Sequence, residues 1–138
     1  MSGSETGALQ PRDRNRILIC DDDESIRNLF VMILTYGFPN VKRDLACNGR
    51  EALSVFRIGH HGVILMDLRM PEMDGQQAFS EIQAMCNQYN WEMPPVVFLT
   101  GFPPPPAVNE IIGDGSYHCL LNKPVTSDQL METVKKRL

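Results

Sequence analysis

Val63-Ile64-Leu65-Met66-Asp67-Leu68-Arg69-Met70-Pro71-Glu72-Met73-Asp74-Gly75 sets an unbroken apolar run against one carboxylate, followed by a loop punctuated by proline and glycine. Four consecutive apolar residues leave no solvent face, the pattern of a strand covered by helices on both sides of a parallel sheet. Sheets of that kind bind ligands beyond the carboxyl ends of their strands, which is where Asp67 falls. A single Asp at a strand end is also an ordinary loop cap. The other strand ends therefore decide what Asp67 is for.

Upstream, Ile17-Leu18-Ile19-Cys20 reads as a strand, and residues 25–36 as a helix with Ile26, Leu29, Phe30, Ile33 and Leu34 turned inward at helical spacing and Gly37 as its stop. Residues 41–47 form a more polar strand, expected at a sheet edge, and residues 50–58 a helix capped by Asn48 with Ala52, Leu53 and Phe56 inward. Downstream, residues 75–87 place Ala78, Phe79, Ile82, Met85 and Cys86 on one helical face. Residues 96–99 make a fourth strand ending at Thr100, residues 117–121 a fifth ending near Lys123-Pro124, and a helix capped by Thr126 runs through Leu130, Val134 and Leu138. Strands that alternate with helices need crossover connections, so the pattern predicts an α/β, doubly wound, five-stranded parallel sheet with helices on both faces. In the fourth crossover Phe102 precedes four prolines, which cannot lie inside a helix. An extended polyproline segment and a helix of about two turns around Val108, Ile111 and Ile112 are expected there.

The 138 residues suit one domain, from residue 16 to 138. Residues 1–15, Ser/Gly/Glu/Arg-rich and without apolar period, are expected to be disordered, a composition that tags share. Hydrophobic content of 43% and charged content of 22% are globular values. The net charge of −4 and the short apolar runs set the chain against a nucleic-acid or membrane partner and predict a cytoplasmic protein. The four cysteines lack Cys-x-x-Cys spacing and read as small hydrophobes; His60 and His61, adjacent and without a third ligand, read as surface loop.

In a parallel sheet all the strand ends open onto one edge. The first ends in Asp21-Asp22-Asp23-Glu24, the third in Asp67, the fourth in Thr100-Gly101 and the fifth in Asn122-Lys123. Crowded carboxylates repel unless a cation joins them, and an all-oxygen set suits Mg²⁺, which also accepts a phosphate oxygen. A carboxylate, a divalent cation, a hydroxyl and an ammonium at one point are the parts needed for phosphoryl transfer to an Asp nucleophile.

With these residues in place, the chain from about residue 16 to 138 resembles a response-regulator receiver domain, the phosphoacceptor module of two-component signalling. Asp67 through Gly75 matches its D-x-x-M-P-x-M-D-G signature at every fixed position, and Asp21-Asp22 with Arg27, Leu99-Thr100-Gly101 and Lys123-Pro124 match its other elements. The resemblance implies a flavodoxin-like fold of strand order 2-1-3-4-5, with Asp67 accepting a phosphoryl group from a sensor histidine kinase or histidine phosphotransfer protein. It implies direct ligation of Mg²⁺ by Asp22 and Asp67, Asp21 acting through water and the Arg69 backbone carbonyl completing the set, with Asp23 the alternative in the acidic run. Lys123 would contact the phosphoryl group, Thr100 would offer its hydroxyl, and the Lys123-Pro124 peptide would be cis.

One family feature is missing: Leu120 stands where an aromatic residue often couples to the threonine. Two further readings compete with a phosphorylation-controlled interaction module. One is a Mg²⁺-dependent phosphohydrolase using Asp21 and Asp23 as an Asp-x-Asp pair; the other is a degenerate receiver acting as a scaffold. The chain leaves no room for an effector domain, so it is either a stand-alone receiver or one excised from a longer regulator, acting on an unknown downstream protein.

Overall fold

A computed structural model describes residues 8–138. Five strands, β1 (Asp13–Cys20), β2 (Lys42–Ala46), β3 (His61–Asp67), β4 (Val96–Thr100) and β5 (Cys119–Asn122), alternate with helices α1 (Glu24–Gly37), α2 (Gly49–Gly59), α3 (Gly75–Tyr89), α4 (Pro106–Ile112) and α5 (Ser127–Lys135). The strands form one sheet in the order β2-β1-β3-β4-β5, every neighbouring pair parallel, as the resemblance implied.

Alternation along the strands builds two cores. Ile17, Ile19, Val63, Leu65, Val97 and Leu99 point toward α1 and α5, where they meet Phe30, Leu34, Leu130 and Val134. Leu18, Cys20, Ile64, Met66 and Phe98 point the other way, toward Ala52 and Phe56 of α2 and Phe79 and Ile82 of α3. Each fully buried aliphatic or aromatic side chain contributes about 1.5–3 kcal/mol. These two-sided strands hold the sheet and fix where their ends lie. Asn48, Asp74 and Thr126 accept backbone N–H bonds as caps of α2, α3 and α5. The short α4 starts from Pro105 without a side-chain cap, behind the extended proline segment.

Several expectations need correction. The first strand starts at Asp13, and residues 8–12, expected to be disordered, are tied down: Gln10 exchanges backbone bonds with Asn90 and Glu92, and the Arg12 guanidinium donates to the Gly62 carbonyl at 2.8 Å. Polar side chains hid that pairing, which is made by backbone and a buried arginine. The expectation for residues 1–7 lies outside the described residues. The histidine pair is not surface loop. His60 ends α2 in a left-handed conformation and stacks on Trp91 at 4.4 Å, while His61 is fully buried in β3 and donates from Nε2 to Asp44 at 2.7 Å. Burial pushes the His61 pKa down against the opposing pull of the Asp44 carboxylate. Leu29 is 45% exposed, because five apolar residues span a wider arc of α1 than the sheet covers.

The fifth strand starts at Cys119 rather than 117. Arg137 holds the Tyr117 and Gly115 carbonyls at 2.8 and 2.6 Å, and His118 Nδ1 accepts from the Val96 backbone N–H at 3.0 Å. Burial, with the Arg137 charge adding, pushes His118 down to about 4. Its folded value lies below the ordinary one, so its contribution to stability is complete above about pH 6.5 and is lost as pH falls through about 4. An NMR titration of the imidazole is expected to find His118 neutral at pH 5, and an inflection near 6.5 would contradict this packing.

Candidate functional site

The carboxyl edge of the sheet gathers Asp21, Asp22, Asp23, Asp67, Arg69, Thr100, Gly101, Phe102 and Lys123 around one open cleft of about 350 Å³. Asp67 closes β3 at 5% exposure. Its placement depends on Gly75, where an added Cβ would stand 2.3 Å from the Asp67 carbonyl, so α3 can start this close only without a side chain there. Asp21, next after β1, is fully buried, and the Arg27 guanidinium holds its carbonyl at 2.6 Å. That bond gives Arg27 a physical task in shaping the acidic turn.

Lys123 ties the site together. Its ammonium donates to Asp21 Oδ2 at 2.9 Å and lies 3.4 Å from Asp67 Oδ1. Asp21 Oδ1 accepts from the Asp23 N–H at 2.9 Å, so both of its oxygens are engaged. Asp67 Oδ1 also takes a long bond from the Arg69 N–H at 3.4 Å, whereas Oδ2 has no donor among the described residues. Asp23 lines the cleft, but its Oδ1 caps α1, accepting from the Ser25 and Ile26 N–H groups. The helix cap thus separates Asp23 from the two acids before it.

One carboxylate oxygen each from Asp21, Asp22 and Asp67 lies within 4.8 Å of the others. Three carboxylates meet one ammonium here, and the imbalance appears in the titration of Asp67. Burial, reinforced by the Asp21 charge, pushes Asp67 up to about 6 despite Lys123. Burial alone would lower the Lys123 pKa, but its bonds to Asp21 and the charge on Asp67 raise it. A hard, all-oxygen set that is short of positive charge fits a divalent cation such as Mg²⁺.

Thr100 is 3% exposed and its hydroxyl serves its own loop, accepting from the Phe102 N–H at 3.1 Å and donating to the Phe102 carbonyl at 2.9 Å. The Arg69 guanidinium stacks over the Phe102 ring at 4.0 Å. Their stacking joins loops 33 positions apart and has no local signal in the sequence. The same holds for Asn48, which donates to Glu72 at 3.0 Å and fastens the loop after Asp67 to the start of α2. Leu120 is partly buried and packs against the core that includes α2 and α3.

A doubly wound parallel sheet of order β2-β1-β3-β4-β5 with its cleft at the carboxyl edge defines the flavodoxin-like class. Residues 17–135 match the response regulator receiver domain, and the chain belongs to that family, whose members are the receivers of two-component response regulators. It is 32% identical over 124 residues to the regulatory protein AtoC of Escherichia coli K12, covering 90% of this chain and 25% of that protein. It is also 32% identical over 127 residues to the transcriptional regulatory protein ZraR of Salmonella typhimurium, covering 92% and 27%. The chain thus spans about a quarter of the length of these relatives. Among solved structures, the chemotaxis protein CheY4 of Vibrio cholerae superposes with a TM-score of 0.72 at 25% identity, covering 91% of this chain and 100% of that one. The receiver domain of a DNA-binding response regulator from Colwellia psychrerythraea 34H gives 0.73 at 27%, covering 90% and 97%. No helix among the described residues is long and apolar enough to cross a membrane.

Because the folded value of Asp67 is raised, its ionised form opposes folding: the cost is absent below about pH 4 and complete above about pH 6. Asp67→Asn is therefore expected to stabilise the metal-free protein at pH 7.5, by on the order of 1–2 kcal/mol after discounting for coupling to Lys123. Urea denaturation of both forms in EDTA checks this, and a destabilised variant would contradict it.

Proposed function

We propose that Asp67 accepts a phosphoryl group from a phosphohistidine, on a sensor histidine kinase or a histidine phosphotransfer protein, and that the acyl phosphate switches contacts with a downstream protein. The observation that carries this reading is the convergence of Asp21, Asp22 and Asp67 oxygens within 4.8 Å, with the Lys123 ammonium 3.4 Å from Asp67. Asp67 Oδ2, without a donor among the described residues, is the attacking atom. Its lone pair forms the new P–O bond as the P–N bond to the imidazole breaks, and the departing nitrogen keeps the electron pair and takes up a proton. Lys123 donates to a phosphoryl oxygen, and Thr100 does so once its hydroxyl turns from the Phe102 carbonyl.

Asp22 and Asp67 would hold Mg²⁺ directly, Asp21 through water, with the Arg69 backbone carbonyl completing the protein's share. Bound there, the ion neutralises charge on the transferring phosphoryl oxygens. The domain acts in the cytoplasm on proteins rather than on nucleic acid or membrane, and turns over no substrate beyond its own phosphorylation and dephosphorylation. The phosphohydrolase reading loses support because Asp23 caps α1 and Asp21 is held by Lys123, which breaks the Asp-x-Asp pair.

Incubation with radiolabelled phosphoramidate and Mg²⁺ is expected to label the chain with a hydroxylamine-sensitive acyl phosphate. The label should vanish in Asp67→Asn and in EDTA; label surviving in that variant would sink the assignment.

A further inference from the structure

Arg69 is the cation at the cleft that no task above engages through its side chain. It is exposed, its guanidinium makes no hydrogen bond or ion pair with any described residue, and it lies over the Phe102 ring at 4.0 Å. The same cleft is lined by Asp67, Lys123, Arg69 and Phe102. A guanidinium on an exposed aromatic face is weakly held, whereas its planar fork matches two oxygens of a phosphoryl group. A dianionic group arriving at Asp67 therefore outcompetes the ring.

Phe102 is also joined to the site through Thr100, whose hydroxyl both donates to its carbonyl and accepts from its N–H. Beyond it, residues 102–105 each precede a proline, which restricts them to extended backbone, and Pro105 has φ −62° and ψ 154°. Such a stretch does not absorb a displacement at its head by flexing. It leads directly into α4, a two-turn helix without a side-chain cap. Leu120 offers no aromatic ring for an alternative route through β5.

We propose that the Arg69 side chain is a second phosphoryl-binding cation, parked on Phe102 in the unphosphorylated domain, and that its transfer to the phosphoryl group frees Phe102 and the proline segment as the surface that reports the state. This rests on Asp67 as phosphoacceptor. The stacking interaction does the work that a threonine-aromatic pair would otherwise do, and the output is residues 102–105 with the start of α4.

The test uses the full chain carrying Phe102→Trp, which keeps an aromatic face, labelled with 5-fluorotryptophan so that Trp91 serves as internal reference. One fluorine NMR spectrum with Mg²⁺ and fluoroberyllate then reports both bound fluoroberyllate and position 102. The expected result is a shift at position 102 but not at Trp91, lost when Arg69→Gln is added although fluoroberyllate still binds. Half-saturation should weaken roughly threefold to tenfold in Arg69→Gln. In the unaltered chain the Arg69 Nε–H resonance should move off its ring-current position on binding. Bound fluoroberyllate with position 102 and Arg69 Nε–H both unmoved overturns the transfer and leaves Asp67 as acceptor. No bound fluoroberyllate in the unaltered chain removes the acceptor reading, and this inference with it.

Discussion

Too much negative charge at one buried edge is the condition on which the rest of this structure depends. The two-sided strands β1 and β3 end side by side because their apolar registers match, Cys20 opposite Met66, and that match delivers Asp21 and Asp67 to one place. Neither acid can retreat, since Gly75 clamps the Asp67 backbone and Arg27 holds Asp21. Lys123 is shared between them and leaves a deficit of positive charge. A rigid apolar scaffold thus holds a polar site in a state that a cation relieves.

The loops around the site differ in how firmly they are held. The segment after Asp67 is fastened by the Asp74 cap, by Asn48 on Glu72 and by the Gly49 N–H on the Met73 carbonyl at 3.1 Å. The segment after Thr100 has few such ties: its prolines donate no backbone hydrogen bonds, α4 lacks a side-chain cap, and Phe102 is held by the Thr100 hydroxyl and one cation-π contact. A fixed geometry comes from the first kind of loop and freedom to change position from the second. The chain places them on adjacent strands, β3 and β4.

The legible parts were those with a local cause. Apolar runs named the strands, helical spacing the helices, and Asn48 and Thr126 two of the helix starts. The acid run was harder, since Asp21, Asp22 and Asp23 look alike until one of them caps a helix and another is buried. The histidine pair misled because a helix end and a strand start meet between His60 and His61, and adjacent polar residues give no sign of such a boundary. Residues 8–12 misled for a related reason: their order comes from Asn90, Glu92 and Gly62, which the local composition does not reveal.

By itself the sequence determined the class of sheet, the strand ends and the kinds of group at them, because hydrophobic period and turn chemistry act over a few residues. The tertiary structure decided which oxygen of Asp67 is free, that Asp23 serves the helix, that Lys123 is shared, and that Arg69 rests on Phe102. Those outcomes depend on distances between segments far apart in the chain. They are set only once both faces of the sheet are packed and every strand end has one position in space.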